Sequence, residues 1–496
     1  MLAYIFTYHT TLYDMNYIKQ INDGKSQGEN CYTTHDAQSN NGGLLCGKAL
    51  RTVLYNKSSY KNHGRFNKPR VPLLRSWSSV GTKPAGVRSV GTQPDVRPEI
   101  SQAETLTDIG TRPIFSEEHD IFRENVRRFF RDELAPHQDR WEKQRHVDKD
   151  LFWHKLGIQG FLGIDLPTEL GGVGGDFLSS TIVLEEQMYQ YGIGSNLVAH
   201  NDMAIPYIRI YGTPEQKSKY LPRMVSGECV GAVAMTEPSA GSDLQGMKTY
   251  AKRDGNDWIL NGSKVFITNG YLADVVIVAA ITDMQSSRKA HGMSLFLVDA
   301  GTPGFNKGRI LEKIGDKSSD TAELFFEDVR LPSSAILGGE AGLHKGFYSL
   351  MEQLQRERLT LGICAQSLAE SVFELTRDYV RTRKAFGKTI SKLQTVQHRL
   401  AELKTKICVN RAFVDQCTQM YQEGRLDNVT ASMIKCSASD LVVKVCDEGV
   451  QLHGGWGYMW EYPVARAFCT ARVMPIVGGT NEIMKELIAR DIVRDR

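Results

Sequence analysis

Several features are missing from this 496-residue sequence, and each absence removes a class of function. There is no Cys-x-x-Cys pair, and the nine cysteines, an odd number scattered from Cys31 to Cys469, do not cluster with histidines as zinc requires. They read as reduced thiols packed as small hydrophobes, so neither a disulfide framework nor a metal is expected. No stretch approaches the ~18 consecutive apolar residues of a membrane span. No Gly-x-Gly-x-x-Gly follows a strand, so a Rossmann cradle for a dinucleotide is not available. Charge of one sign is also scarce: the formal net charge is +3, with 13 Lys/Arg against 6 Asp/Glu in residues 1–100 and a balance of −4 in the remainder. A basic leader over a mildly acidic body gives no support for a nucleic-acid-binding face.

Acids are absent altogether from Ala37 to Pro94, where Lys48, Arg51, Lys57, Lys61, Arg65, Lys68, Arg70, Arg75, Lys83 and Arg88 stand among Ser, Thr and Gly. That is the composition of an organelle transit peptide, with cleavage expected before about Ser101. A disordered basic tail without a targeting role is the alternative. The first basic residue is Lys19, so the apolar start Met1–Phe6 lacks the charged lead of a secretory signal. Residues 1–36 contain acids and fit a transit peptide poorly.

Ordered structure is expected from about Phe115. Ser116 can cap a helix whose first turn holds Glu117 and Glu118, and Phe122, Val126, Phe129, Phe130 and Leu134 recur at helical spacing up to a stop at Pro136. Helical pattern continues to Met224, broken by the loop Gly171 to Gly175. From Val230 to Leu337 short β runs take over. Trp258–Leu260 and Lys264–Ile267 flank Asn261-Gly262-Ser263, a hairpin signal, and Val275–Ala280, Ser294–Val298 and Leu324–Phe326 supply further strands. After Gly346 the helical period returns, with Leu393, Val396, Leu400, Leu403 and Ile407 forming a long stripe. Segregated elements of this kind predict an α+β fold: leader 1–112, helical domain 113–229, barrel-like β domain 230–337 and C-terminal helical bundle 338–496.

The chemistry-bearing segments sit at the joints of this plan. Val233-Ala234-Met235-Thr236-Glu237-Pro238-Ser239-Ala240-Gly241-Ser242 is a strand end turning through Pro238 and Gly241. Its backbone N–H groups and the Thr236 and Ser242 hydroxyls suit a flavin ring edge and a pyrophosphate. With Phe266-Ile267-Thr268-Asn269-Gly270 downstream, the chain resembles acyl-CoA dehydrogenases over roughly residues 113–496.

The resemblance implies bound FAD. Besides Val233–Glu237, Gly241, Ser242 and Phe266, Ile267 and Thr268, it implies cofactor contacts from Arg383, Phe386 and Gln394. Gln451-Leu452-His453-Gly454-Gly455 and Thr480-Asn481-Glu482 complete the set. Arg383 looks like the family arginine that reaches the pyrophosphate from a neighbouring subunit, a task that suits a planar guanidinium. His453 reads as structural or cofactor-adjacent rather than as a catalytic imidazole.

Most members carry the catalytic glutamate just before the Gly-Thr of the C-terminal loop, where this chain has Gly478. Others place it on a helix early in the third domain in a Glu-Arg-Leu context, and this chain reads Glu357-Arg358-Leu359. Glu357 is therefore the expected base, with Glu352 and Glu482 as rivals. Burial should raise its pKa toward the ~6–7 useful to a general base. The resemblance also implies substrate contacts from Ser242, Tyr348, Gln355, Arg356, Arg358, Gly478 and Gly479. By the same route it implies a homotetramer built as a dimer of dimers, electron transfer to an electron-transferring flavoprotein, and a place in the mitochondrial matrix. Met459–Pro463 and Met484–Arg490 are similar to members that take long acyl chains. An isovaleryl-type enzyme, a catalytically silent flavoprotein scaffold and an acyl-CoA oxidase remain the competing readings. The C-terminal Arg494-Asp495-Arg496 is not the Ser-Lys-Leu of a peroxisomal protein.

Overall fold

The computed structural model describes Thr105 and residues 112–494 apart from 193, 195 and 287. The expected transit peptide and its cleavage point lie outside the described residues. Helices come first: α1 Glu117–Phe129, α2 Gln138–Gln144, α3 Lys155–Ile158, α4 Phe177–Tyr189, α5 Ile205–Tyr211 and α6 Pro214–Val225. Ser116 caps α1 as its sequence suggests, its side chain accepting from the His119 amide, and Glu117, Glu118 and Asp120 face the positive end of the helix dipole. The helical path does not stop at Pro136. A π-type turn, Phe130–Leu134, and a 3-10 turn, Ala135–His137, carry it into α2, and Pro136 stands at the start of the latter, where no backbone N–H is needed.

Seven strands then form one mixed sheet: β1 Gly231–Ala234, β2 Tyr250–Asp254, β3 Asp257–Thr268, β4 Val275–Ile281, β5 Met293–Asp299, β6 Phe305–Ile310 and β7 Thr321–Pro332. All seven residues of β4 are buried, with β1 and then β2 parallel to it and β5 antiparallel. The other strands continue as β2-β3-β7-β6, every pair antiparallel. The expected hairpin at Asn261-Gly262-Ser263 is corrected. Those residues lie inside the continuous strand β3, where the register against β7 slips between Leu260 and Gly262. Gly262 has φ +145°, and a Cβ there would come within 2.4 Å of Thr249 Oγ1, so the glycine serves a bulge. The tight turn falls one step earlier, at Gly255-Asn256 between β2 and β3.

The last third is helical: α7 Gly346–Thr382, a small hairpin of β8 Lys384–Ala385 and β9 Lys388–Thr389, then α8 Gln394–Gln422, α9 Asn428–His453, α10 Pro463–Ala471 and α11 Asn481–Ile492. Leu393 stands just outside α8, while Val396, Leu403 and Ile407 are buried along it as the stripe predicts. Leu403 and Ile407 meet Ile363, Leu368 and Val372 of α7 and Ile434, Val442 and Val445 of α9 in one core. Each fully buried side chain of this size stabilises by ~1.5–3 kcal/mol relative to exposure, which makes α7 the fixed axis of the molecule.

Buried ions tie α7 and α8 to the first helical region. Arg112 contacts Glu185 of α4 at 2.7 Å and Asp415 of α8 at 2.8 Å. Arg411 bridges Glu185 and Glu370, both at 2.7 Å.

Candidate active site

Glu357 is the twelfth residue of α7, in its fourth turn, and is only 3% exposed. The Tyr207 hydroxyl, from α5, donates to its Oε1 at 3.1 Å. Burial raises the carboxyl pKa to about 7, against the opposing pull of the Tyr207 hydrogen bond and the Arg358 charge. A carboxyl of this kind exists in both protonation states near neutrality, as a reversible proton acceptor must. The rival Glu352 is exposed and accepts from Tyr211, while Glu482 is exposed in the first turn of α11.

The glycine pair Gly478-Gly479 faces the same side of α7. A Cβ at Gly478 would fall 2.4 Å from Leu361 Cδ1, one helical turn beyond Glu357, and one at Gly479 would fall 2.6 Å from Met484 Cε. Both glycines have positive φ, +65° and +93°, which L side chains rarely adopt. Two cations hold the carbonyls of this loop. Arg358 Nε donates to the Gly478 oxygen at 3.5 Å, and Lys435 Nζ of α9 donates to the Gly479 oxygen at 2.7 Å and to Asn481 Oδ1 at 2.9 Å. Burial lowers the Lys435 pKa to about 8 and depresses that of Arg358.

Not every residue expected at the site faces it. Arg356 is 4% exposed, and its guanidinium pairs with Asp165 at 2.6 Å and Asp202 at 2.9 Å, so it ties α7 to the first helical region. The Gln355 amide donates to the Leu426 carbonyl oxygen in the connection before α9. Tyr348 is half exposed and stacks on His291, with ring centroids 6.0 Å apart. The Asn481 side chain is engaged within the fold: its amide nitrogen donates to Ser439 and Asp440 while its oxygen accepts from Lys435. Thr480 caps α11.

The strand-end segment offers backbone and hydroxyls more than side chains. Val233 and Ala234 end β1, and a turn closes through reciprocal backbone bonds between Glu237 and Ala240. The Glu237 carboxylate turns inward, accepting from the Lys248 and Thr249 amides and from Lys264 Nζ at 2.9 Å. Any cofactor contact from this residue is thereby left to its backbone. Gly241 and Ser242 are exposed, Met235 and Thr236 partly so. Ile267 is buried in the sheet core, Thr268 half-buried, and Phe266 is 66% exposed at φ +61°. An aromatic held outward beside exposed amides and hydroxyls fits a flat heteroaromatic ring and its polar edge.

A second set of expected cofactor residues clusters at the far end of the bundle. Arg383 and Phe386, at the β8–β9 hairpin, are exposed, Phe386 to 87%, and Gln394 is exposed at the start of α8. Gln451, Gly454 and Gly455 are exposed and Leu452 is half-buried, and nothing lies within 4 Å of where a Cβ at either glycine would sit. His453 is buried and committed to the fold: its Nδ1 lies 2.7 Å from the Gly449 carbonyl oxygen and its ring stacks on Tyr379 at 4.1 Å. Tyr207, Leu361 and Lys435 carry no motif in the sequence. The one signal was a lone lysine within the apolar stretch Met433–Cys436.

Two helical regions flanking a mixed sheet, with a buried carboxyl beside a glycine loop and an outward aromatic at a strand end, define a three-domain architecture built to desaturate thioesters. The chain belongs to the acyl-CoA dehydrogenase family, whose N-terminal, middle and C-terminal domain models match residues 116–228, 232–329 and 344–493. It is 57% identical over 425 residues to the mitochondrial long-chain specific acyl-CoA dehydrogenase of Sus scrofa, covering 85% of this chain and 98% of that one. Against the mitochondrial isovaleryl-CoA dehydrogenase of Pongo abelii the identity is 37% over 378 residues, 76% of this chain and 88% of the relative. The solved acyl-CoA dehydrogenase of Geobacillus kaustophilus superposes with a TM-score of 0.75 at 46% identity, over 77% of this chain and 100% of that one.

Proposed function

We propose that this protein is a FAD-dependent dehydrogenase of long-chain acyl-CoA in mitochondrial fatty acid β-oxidation, with Glu357 as its base. The supporting observation is one carboxyl, buried on helix α7 beside the glycine loop, in a chain that carries Gly478 where the usual glutamate would stand. Glu357 accepts the α-proton of the thioester. FAD, held by the Met235–Ser242 turn, Phe266 and Thr268, supplies hydride acceptance at N5 when bound. The loop amides near Gly478 meet charge as it develops on the thioester oxygen, and Arg358 and Lys435 keep those amides in place through the loop carbonyls. Losing one donor of this type typically costs ~2.7–4 kcal/mol of transition-state stabilisation. Burial around Glu357 excludes water and keeps the base in its useful range.

Long chains are favoured over isovaleryl because identity to the long-chain relative is higher over nearly its whole length. The mitochondrial relatives and the acid-free leader support a mitochondrial location, within which the matrix is the compartment proposed. Electrons pass to an electron-transferring flavoprotein. In a homotetramer the exposed Arg383 and Phe386 of one copy would meet the cofactor of another, adding a guanidinium to the Met235–Ser242 turn, which carries no Lys or Arg of its own.

Anaerobic addition of palmitoyl-CoA to the purified yellow protein should bleach it. Glu357→Gln should retain colour yet lose turnover. A turnover maximum on isovaleryl-CoA would overturn the chain-length assignment. Peroxide formation in step with turnover in air would point to an oxidase, and a wild type without turnover to a scaffold.

A further inference from the structure

α5 presents two tyrosines, Tyr207 and Tyr211, one helical turn apart, to two glutamates of α7, Glu357 and Glu352. Tyr211 is partly buried and meets the exposed Glu352 at 2.8 Å, with Gln353 Nε2 donating to its hydroxyl at 3.1 Å. Tyr207 is fully buried, and its hydroxyl has one partner, Glu357 Oε1. Among the described residues no hydrogen bond reaches Oε2.

We propose that Tyr207 is a positioning residue for the reaction: its phenol fixes the rotamer of Glu357, engages Oε1, leaves Oε2 to take the substrate proton and supports the carboxylate form inside an apolar wall. The proposal rests on Glu357 being the base. Of the charged groups around it, Arg358 also favours the carboxylate through its charge, but none donates a hydrogen bond to it among the described residues. Arg358, on the same helix, donates to the Gly478 oxygen and to Ser432. From α9, Lys435 is held by Gly479 and Asn481. Asp202, from the turn Ala199–Ala204, is paired with Arg356, which also binds Asp165. Tyr207 is thus the one neutral donor on the carboxyl, and burial with the adjacent Glu357 pushes its own pKa well above the usual phenol range. It keeps its proton throughout: the α-proton moves from carbon to Oε2, and the phenol stays a donor, never an acid.

Tyr207→Phe keeps the ring, so packing against the surrounding core is preserved and only the hydrogen bond is lost. Hydrogen bonds to charged groups are strong enough that its removal should move the acidic limb of the kcat–pH profile alkaline by about one unit or more. At pH 7 kcat should fall by about tenfold or more, with KM little changed. A readout that needs no turnover is the infrared carboxylic C=O band that is absent in Glu357→Gln. In the wild type it should titrate near the folded-state value of about 7, and in Tyr207→Phe it should titrate higher. Tyr211→Phe should leave the band in place. If Tyr207→Phe does not accumulate folded, 3-fluorotyrosine at position 207, a stronger donor, should move the band the opposite way. An unshifted band and profile in Tyr207→Phe, with Glu357→Gln inactive, overturns the role of Tyr207 alone. Full turnover in Glu357→Gln overturns the base assignment and this inference with it.

Discussion

Two carboxyls in this molecule are equally removed from water and behave in opposite ways. Glu185 on α4 is fully buried, yet Arg112, Arg123 and Arg411 surround it at 2.6–2.7 Å and hold its pKa well below the usual carboxylate range, against the desolvation that would raise it. Glu357 on α7 is just as buried but has one phenol and one weakly engaged arginine, and its pKa rises to about 7. Burial supplies the same push in both cases. The number of cations within contact decides whether the group becomes a permanent charge that fastens helices or a site that can take and release a proton.

The comparison breaks most visibly through turnover. Glu357→Gln should lower kcat by at least ~10²–10⁴-fold, the usual worth of a positioned base, while the protein stays folded; stopped-flow reduction by palmitoyl-CoA measures it. Glu185→Gln should do the reverse. Removing one partner from a buried ion cluster leaves the others uncompensated and typically costs ~3–5 kcal/mol, visible as a lower unfolding midpoint, while the folded fraction keeps its pH profile.

A smaller effect sharpens the contrast through its sign. Because the folded pKa of Glu357 lies above its ordinary value of 4.5, the native state holds this proton longer than the unfolded chain does. Its carboxylate therefore destabilises the fold increasingly from about pH 4.5 to about 7, and the penalty is constant above that. Glu357→Gln should exceed the wild type in stability at pH 8 by up to ~3 kcal/mol and match it near pH 4.5. Denaturant titrations at the two pH values test this, and a gap that narrows toward pH 8 would contradict the shift. Glu185 predicts the mirror image, since its lowered pKa contributes stability that is fully present above the ordinary carboxylate pKa of 4.5 and is lost progressively as pH falls below it.

Much of this was open to reading in the chain itself. The change from helical period to short β runs and back placed three regions, because periodicity is local and needs no partner. Ser116 announced α1 for the same reason. Glu357 stood out through its Arg-Leu context and the glycine at 478, and the structure puts both on one side of α7. What was not legible shares a cause. Asn261-Gly262 carries the same local signal whether a chain reverses or inserts one extra residue into a strand, and only the close approach of Thr249 distinguishes them. Arg356, Glu237 and Asn481 look like surface or ligand-facing polar groups in sequence; their buried partners, Asp202, Lys264 and Ser439, lie 154, 27 and 42 positions away. Tyr207 is 150 residues from the carboxyl it serves and reads as one more aromatic in a helical stretch.

Leu361 also constrains the sequence changes open to this chain. Its Cδ1 stands 2.4 Å from the spot any side chain at 478 must claim, on backbone twisted to φ +65°. An acid placed in that loop would have to turn the leucine tip aside and also hold a left-handed backbone that side chains rarely adopt. Seating the proton acceptor on α7 avoids both demands at once.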